Sequence, residues 1–336
     1  MQINALAAIE KGATLQPFSF QAPPLKSFDC AIKVLACGIC HSDIHMIHDD
    51  WDMSRYPLVP GHEVIGEVVE IGSHVTHLQL GDRVGVGWQQ GACMHCLDCM
   101  KGNHNLCDQA EGLIVNGYGG FADYMVVDSR FAFVLPAGVS TESAGPILCG
   151  GVTVYAGLRN AGMTSGQEIG VIGIGGLGHL AIQFASRLGN RVTVFTTSAD
   201  KAEFATQLGA HEAILVAPGG SPPLPVNKLN IIINTANQAL DWLGYMNHLG
   251  SNGTFVFVGI PSEPLTIPIT PLTSKQRRIM GSEIGSPAVI MEMLQVVEKF
   301  GIQPLVEMFP LEQANEALQR VLDNKVRYRA VLTMGT

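Results

Sequence analysis

The chain has 336 residues, 47% of them hydrophobic and only 15% charged, a balance that supports a large buried core and excludes a disordered protein. Its formal net charge of −9 offers no basic stripe to a nucleic-acid backbone, and no apolar run approaches the ~18 residues of a membrane span. Nucleic acid and membrane are therefore not expected partners. The opening MQINALAAIEKG has no basic region followed by an apolar run, so no secretory leader is expected. The eight cysteines are then read as reduced thiols in a cytoplasmic protein.

Residues 28–40 alternate apolar and polar before reaching Gly38-Ile39-Cys40, which predicts a strand. Val64–Ile71 is β-branched and glycine-punctuated, and Gly81-Asp82 turns into a further strand at Arg83–Val86. These short strands predict a β-rich first lobe over residues 1–149. Two chemical features sit on it. Cys40 follows the first strand within Cys40-His41-Ser42-Asp43-Ile44-His45, and His62-Glu63 opens the second. Together with Cys149 at the end of the lobe, Cys40 and His62 supply two thiolates and an imidazole, a set suited to an open zinc. Glu63 is then a fourth ligand or a neighbour of the ligands, and Asp43 is placed to orient the other nitrogen of His62. Cys37 and Cys40 also form a CxxC, a redox or zinc pattern, but Cys37 lies inside the strand and reads as core, as does Cys30. His62-Glu63 does not open an HExxH helix, because Gly66 stands where the second histidine is needed.

Between the strands at 83–86 and 121–127 comes the densest motif of the chain, Cys93-Met-His-Cys96-Leu-Asp-Cys99 with Cys107 just beyond. Four sulfurs at this spacing fit one closed tetrahedral zinc; two disulfides are the competing pairing. Gly117-Tyr118-Gly119-Gly120 leads into the strand at Phe121–Val127.

After Cys149 the pattern changes to alternating strands and helices, which predicts a parallel doubly wound sheet over residues 150–285. The buried strand Glu168–Ile172 runs into Gly173-Ile174-Gly175-Gly176-Leu177-Gly178, and a helix follows on Leu177, Leu180, Ala181, Phe184, Ala185 and Leu188. Strand, GxGxxG and helix together make a dinucleotide-binding turn. The next strand, Arg191–Phe195, ends in Thr196-Thr197-Ser198-Ala199-Asp200-Lys201 where NAD-binding chains carry an acid. Three hydroxyls and a lysine favour the 2′-phosphate of NADP(H) over NAD, although the same residues also suit a helix cap. Asp200 opposes the phosphate reading. A helix at Lys201–Leu208, a Pro/Gly-rich loop at 218–225 and strands at Asn230–Asn234 and Thr254–Val258 follow. Helices at Met291–Phe300 and Leu311–Leu322 and a strand at Tyr328–Leu332 place 286–336 back with the first lobe.

The chain resembles the zinc-dependent medium-chain alcohol dehydrogenases, above all their cinnamyl alcohol dehydrogenase and microbial aldehyde-reductase branch. The resemblance covers nearly the whole chain through CGICHSD at 37–43, YPLVPGHEVIGEVVEIG at 56–72, GDRVGVG at 81–87, the four-cysteine loop, GIGGLGHLAIQFA at 173–185 and GTFVFVGIP at 253–261. It implies an α/β protein with a GroES-like β-rich catalytic domain, a Rossmann domain and an active site in the cleft between them. It further implies two Zn²⁺ per chain, one held by Cys40, His62 and Cys149 with Glu63 as exchangeable ligand, the other structural on Cys93, Cys96, Cys99 and Cys107. NADP(H) would bind Gly173, Gly175, Gly176, Leu177, Gly178, Thr196, Thr197, Ser198 and Lys201. Ser42 would hydrogen-bond the substrate oxygen and His45 would relay the proton. The expected partner is a small alcohol or aldehyde, aromatic or medium-chain, with a homodimer the assembly the resemblance allows. Polyol or secondary-alcohol oxidation on the same scaffold, or NADP binding without turnover, are the competing functions. Glu283 departs from the family, because relatives acting on bulky aromatic alcohols carry an apolar residue there. Trp51, Tyr56, Leu58 and Trp88 are the apolar candidates for a pocket.

Overall fold

The computed structural model describes residues 1–223, 228–261 and 263–335. The chain divides into two compact units, Met1–Cys149 with Gly285–Thr336, and Gly150–Ile284. The first matches the β-rich lobe and the second the doubly wound lobe expected from the sequence.

Strand Asp29–Ile39 is the hub of the first unit. Its inward residues Cys30, Ile32, Val34, Cys37 and Ile39 are buried in the main core. One edge pairs antiparallel with Val64–Ile71. The other is shared by two strands: Tyr124–Asp128 takes the N-terminal half and Arg329–Thr333 the C-terminal half. Val64–Ile71 continues the sheet to Arg83–Val86 and Ala132–Val134, and Val306–Pro310 lies parallel to Arg329–Thr333 on the far side. The strand expected from Phe121 starts only at Tyr124. Phe121 and Asp123 instead bond the backbone of Leu6 and Asn4, tying in the separate hairpin of Gln2–Ala7 and Gln16–Gln21.

The second unit is a six-stranded, wholly parallel sheet. Taking its strands in chain order from Glu168–Ile172, their spatial order is 3-2-1-4-5-6, the doubly wound arrangement that binds ligands where the order reverses. Helix Gly178–Arg187 buries Leu180, Ala181, Phe184 and Ala185. The strand predicted from Thr254 begins at Leu249, because an irregularity in its pairing with Leu229–Asn234 absorbs the intervening residues. Helix starts also fall earlier than periodicity suggests. Ser198 caps Ala199–Gln207 and Ser286 caps Pro287–Phe300, so the serine hydroxyls and not the first apolar residues mark the starts. Leu311–Gln313 forms a 3₁₀ turn before helix Ala314–Leu322. The Pro/Gly-rich loop at 218–225 is described to residue 223; its last two residues lie outside the described residues. Among the described residues no helix is long and apolar enough to cross a membrane.

Gly173 sits at φ +85°, which turns the chain sharply out of its strand. A methyl group on Gly178 would lie 2.0 Å from the carbonyl oxygen of Gly173, a backbone atom that cannot swing aside. Gly178→Ala is expected to lower stability by about 1–3 kcal/mol through overpacking, read as a fall in the urea midpoint, with dinucleotide binding weakened in parallel.

Candidate functional site

The first cluster is assembled by one carboxylate. Cys40 ends strand Asp29–Ile39 and caps helix His41–His48. Asp43, wholly buried in the first turn of that helix, accepts from the Cys40 backbone N–H at 2.9 Å, from the Gly61 N–H at 2.8 Å and from His62 Nδ1 at 2.9 Å. A carboxylate at Nδ1 puts the ring proton there and leaves the Nε2 lone pair exposed to the site. Nε2 is buried and has no protein partner. Cys149 arrives on the π-helical turn Ile147–Gly151, its thiol directed at Cys40 Sγ over 3.9 Å. One ligand atom each from Cys40, His62, Glu63 and Cys149 lies within 4.8 Å of the others. The hydrogen bond from Cys149, with the neighbouring His62 and the Arg329 charge, holds the Cys40 thiol well below its usual range against the opposing effect of burial.

Glu63 is the polar floor of this cluster. It is fully buried, and one of its oxygens accepts from Arg329 Nη2 in a buried ion pair. Its Oε2 has no partner. Burial pushes the carboxyl up and the guanidinium pulls it down. For Arg329 burial alone would favour the neutral form, but Glu63 and the Cys40 thiol hold the guanidinium charged. Sequence reading placed Arg329 in a strand without seeing its role. The signal was a lone arginine beside Ala330-Val331-Leu332, because an arginine in a buried strand needs a partner.

Two thiols and an unpartnered imidazole nitrogen suit Zn²⁺ with a fourth position left open, and an unpartnered carboxylate oxygen stands beside it. The Ser42 hydroxyl lies 3.7 Å from Cys40 Sγ. Nδ1 of the half-buried His45 is 2.7 Å from Asp50 Oδ2. Of the four apolar pocket candidates, Trp51 packs on His45 and Trp88 stands edge-on to His62, with ring centroids 5.0 and 5.2 Å away. Leu58 is core, and the Tyr56 hydroxyl bonds the Ile47 carbonyl at 2.8 Å. Glu283 is exposed.

The second cluster is local. Cys93, Cys96, Cys99 and Cys107 bring their sulfurs within 4.8 Å of one another, and all four are unbridged. Backbone N–H groups point at sulfur: Cys96 to Cys93 at 3.2 Å, Cys99 to Cys96 at 3.5 Å and Gln109 to Cys107 at 3.3 Å. The N–H groups of His95 and Cys96 bring the Cys93 thiol down to about 6. Four thiols presented this way fit a closed structural zinc.

In the second unit no side chain caps the N-terminus of helix Gly178–Arg187, whose positive dipole end suits a phosphate. A methyl on Gly175 would meet nothing within 4 Å, so this glycine is not required by protein packing. Gly176 and Leu177 are half-buried on the same turn. Thr235, which sequence reading passed over, donates to the carbonyl oxygens of Ile172 and Gly173 at 2.8 and 3.2 Å and so holds the turn. At the next strand end Thr196 is buried, accepting from the Ser198 N–H at 3.4 Å. Thr197, Asp200 and Lys201 are exposed. Ser198 accepts from the Lys201 N–H at 3.4 Å, so it is the helix cap; its O–H remains a donor.

A nucleotide-type sheet and an asymmetric cluster of thiol, imidazole and carboxylate groups define a metal-dependent dehydrogenase. Residues 26–137 match the alcohol dehydrogenase GroES-like domain and 176–299 the zinc-binding dehydrogenase family. The chain is 43% identical to aldehyde reductase AdhA of Synechocystis sp. over 98% of each chain. Its fold is similar to that of a cinnamyl alcohol dehydrogenase (SbCAD4) of Sorghum bicolor, with a TM-score of 0.92, 34% identity and coverage of 99% of this chain and 98% of that one. It is also similar to CAD from Helicobacter pylori complexed with NADP(H), with a TM-score of 0.91, 28% identity and coverage of 99% and 98%. The chain belongs to the zinc-dependent medium-chain alcohol dehydrogenases, in the cinnamyl alcohol dehydrogenase and aldehyde reductase branch.

Removing one partner of a buried ion pair leaves the other uncompensated. Arg329→Met is expected to cost about 3–5 kcal/mol, measured as a shift in denaturant midpoint, and Glu63→Gln in the same chain should recover part of it. At the second cluster, Cys99→Ser should remove one of two zinc ions per chain by elemental analysis and raise amide exchange first between residues 93 and 107, because structural metal binding contributes folding free energy.

Proposed function

We propose that this protein is an NADP(H)-dependent aldehyde reductase and primary-alcohol dehydrogenase acting on aromatic or medium-chain substrates. The observation that carries the reading is the contrast between its two clusters. One presents four thiols and nothing else, while the other offers two thiols, the free Nε2 of His62 and a carboxylate tied to an arginine. The first is built to be filled, and the second to keep a place for substrate. A cytoplasmic setting accords with eight unbridged cysteines.

When bound, zinc supplies a Lewis acid and NADP(H) the hydride. The residues of the chain do the rest. Cys40, His62 and Cys149 hold the metal, and Asp43 fixes the imidazole that does so. Ser42 hydrogen-bonds the substrate oxygen beside Cys40. His45 exchanges the proton with solvent, its ring held by Asp50 and Trp51. Trp88 and Trp51 supply apolar surface next to these groups and favour aromatic or alkyl substrates over polyols. Thr196, Thr197, Ser198 and Lys201 receive the 2′-phosphate, with Lys201 the charged contact.

His45→Gln is expected to lower alcohol oxidation near neutral pH by up to about 10²-fold, the lower end of proton-transfer contributions, because water substitutes partly at an exposed site. Its zinc content stays at two per chain; loss of zinc would show His45 to be a ligand instead. A higher kcat/KM for sorbitol than for hexanal or benzaldehyde would overturn the substrate class, and no turnover of any of them would leave a binding protein.

Charge-assisted hydrogen bonds are worth roughly 1.5–3 kcal/mol each, so two of them give NADPH a preference of about 10²–10⁴ over NADH. Lys201→Ala should raise KM for NADPH and leave KM for NADH nearly unchanged. A wild-type preference for NADH would reduce the hydroxyl group to the helix cap that Ser198 already forms.

A further inference from the structure

The register of three strands places a glycine under the reactive cluster. Gly38 pairs with Val331 and donates its N–H to the Glu63 carbonyl at 2.9 Å. Residues directly opposite in antiparallel strands share a face, and so do residues two apart. Gly38, Cys40, Glu63 and Arg329 therefore rise from one face of the sheet. A methyl group on Gly38 would lie 2.0 Å from Glu63 Oε2 and 3.0 Å from both its Cβ and its Cδ. The carboxylate thus fills the volume that a side chain at position 38 would need.

Neither side can yield easily. Glu63 is wholly buried and its other oxygen is held by Arg329. The backbone is pinned from above as well, because a methyl on Gly145 would lie 2.7 Å from the Glu63 carbonyl oxygen and 3.1 Å from the Gly38 nitrogen. Beside the displaced carboxylate stand the ligand atoms of Cys40, His62 and Cys149, which already lie within 4.8 Å.

We propose that Gly38 is a positioning residue: its missing side chain is a notch that keeps the free oxygen of Glu63 beside the metal ligands and not among them, so that the metal retains an exchangeable position. The inference rests on the assignment of Cys40, His62 and Cys149 as ligands of the reactive metal. Filling the notch should convert Glu63 into a permanent fourth ligand and close the site.

The test replaces the reactive zinc with Co²⁺ and follows the visible d–d bands while imidazole is added, in wild type, Gly38→Ala, Glu63→Asp and the double variant. If wild type takes up no cobalt at this site, the metal assignment fails before the notch is tested. Given a wild-type imidazole response, Gly38→Ala is expected to lose it and to release its reactive metal to EDTA roughly tenfold more slowly, the scale of groups that support metal ligands. Glu63→Asp, one methylene shorter, should restore both in the double variant. Should Gly38→Ala fail to fold, a double variant that folds and responds to imidazole still supports the notch, and one that fails overturns it. A wild-type response and release rate in Gly38→Ala, faster release, or a defect that Glu63→Asp leaves untouched would each overturn it and leave Gly38 as a packing requirement.

Discussion

The reactive cluster depends on the Asp43 carboxylate. Three donors from two distant stretches of chain meet there: the backbone at the end of strand Asp29–Ile39, and the N–H of Gly61 with the imidazole of its neighbour His62. A carboxylate with no solvent exposure is costly unless hydrogen bonds compensate it, and three donors do so here. The same three bonds fix the backbone of Cys40 and the tautomer of His62. One buried charge therefore sets both the position of a thiol and the direction of a lone pair, and neither could be adjusted alone.

Around that anchor the unit buries further charge. Arg329 faces Glu63 and the Cys40 thiol, and the negative charge on that side keeps it ionised despite burial. A buried ion pair is weak evidence for stability, since desolvation offsets much of its attraction. Its use here is geometric. Arg329 ties down one Glu63 oxygen, Gly38 makes room for the other, and close backbone packing at Gly145 removes the slack. Specificity of position is what a fixed arrangement of buried polar groups supplies and an apolar core would not.

Much of this was legible in the sequence because its signals are local. The four-cysteine loop is a spacing pattern, and its backbone N–H···S bonds follow from the same short turns. The glycine turn is legible for the same reason: tight turn, phosphate approach and helix packing each demand glycine at a fixed offset. Asp43 could be paired with His62 only by reasoning about what a buried imidazole needs. Arg329, Asp50 and Thr235 escaped because their partners lie across strand pairings or beyond a helix end. Element starts were misplaced where a serine hydroxyl, not hydrophobic periodicity, decides the boundary, as at Ser198 and Ser286.

The strand end at Thr196–Lys201 shows why two readings of one motif need not exclude each other. Ser198 accepts a hydrogen bond from the Lys201 N–H and so caps its helix, a demand on its oxygen lone pair. A phosphate demands its proton instead. A hydroxyl has one donor and two acceptor sites, so capping orients Ser198 without consuming the group a phosphate would use. A carboxylate at the same position would cap the helix as well, but it would have no proton to give and would repel a 2′-phosphate. Lys201 meets the same double condition from the other side: its backbone N–H serves the cap while its exposed ammonium stays free to serve an anion. Helix capping restricts this turn to short polar residues; of those, hydroxyls are the ones that cap and still keep a proton to donate.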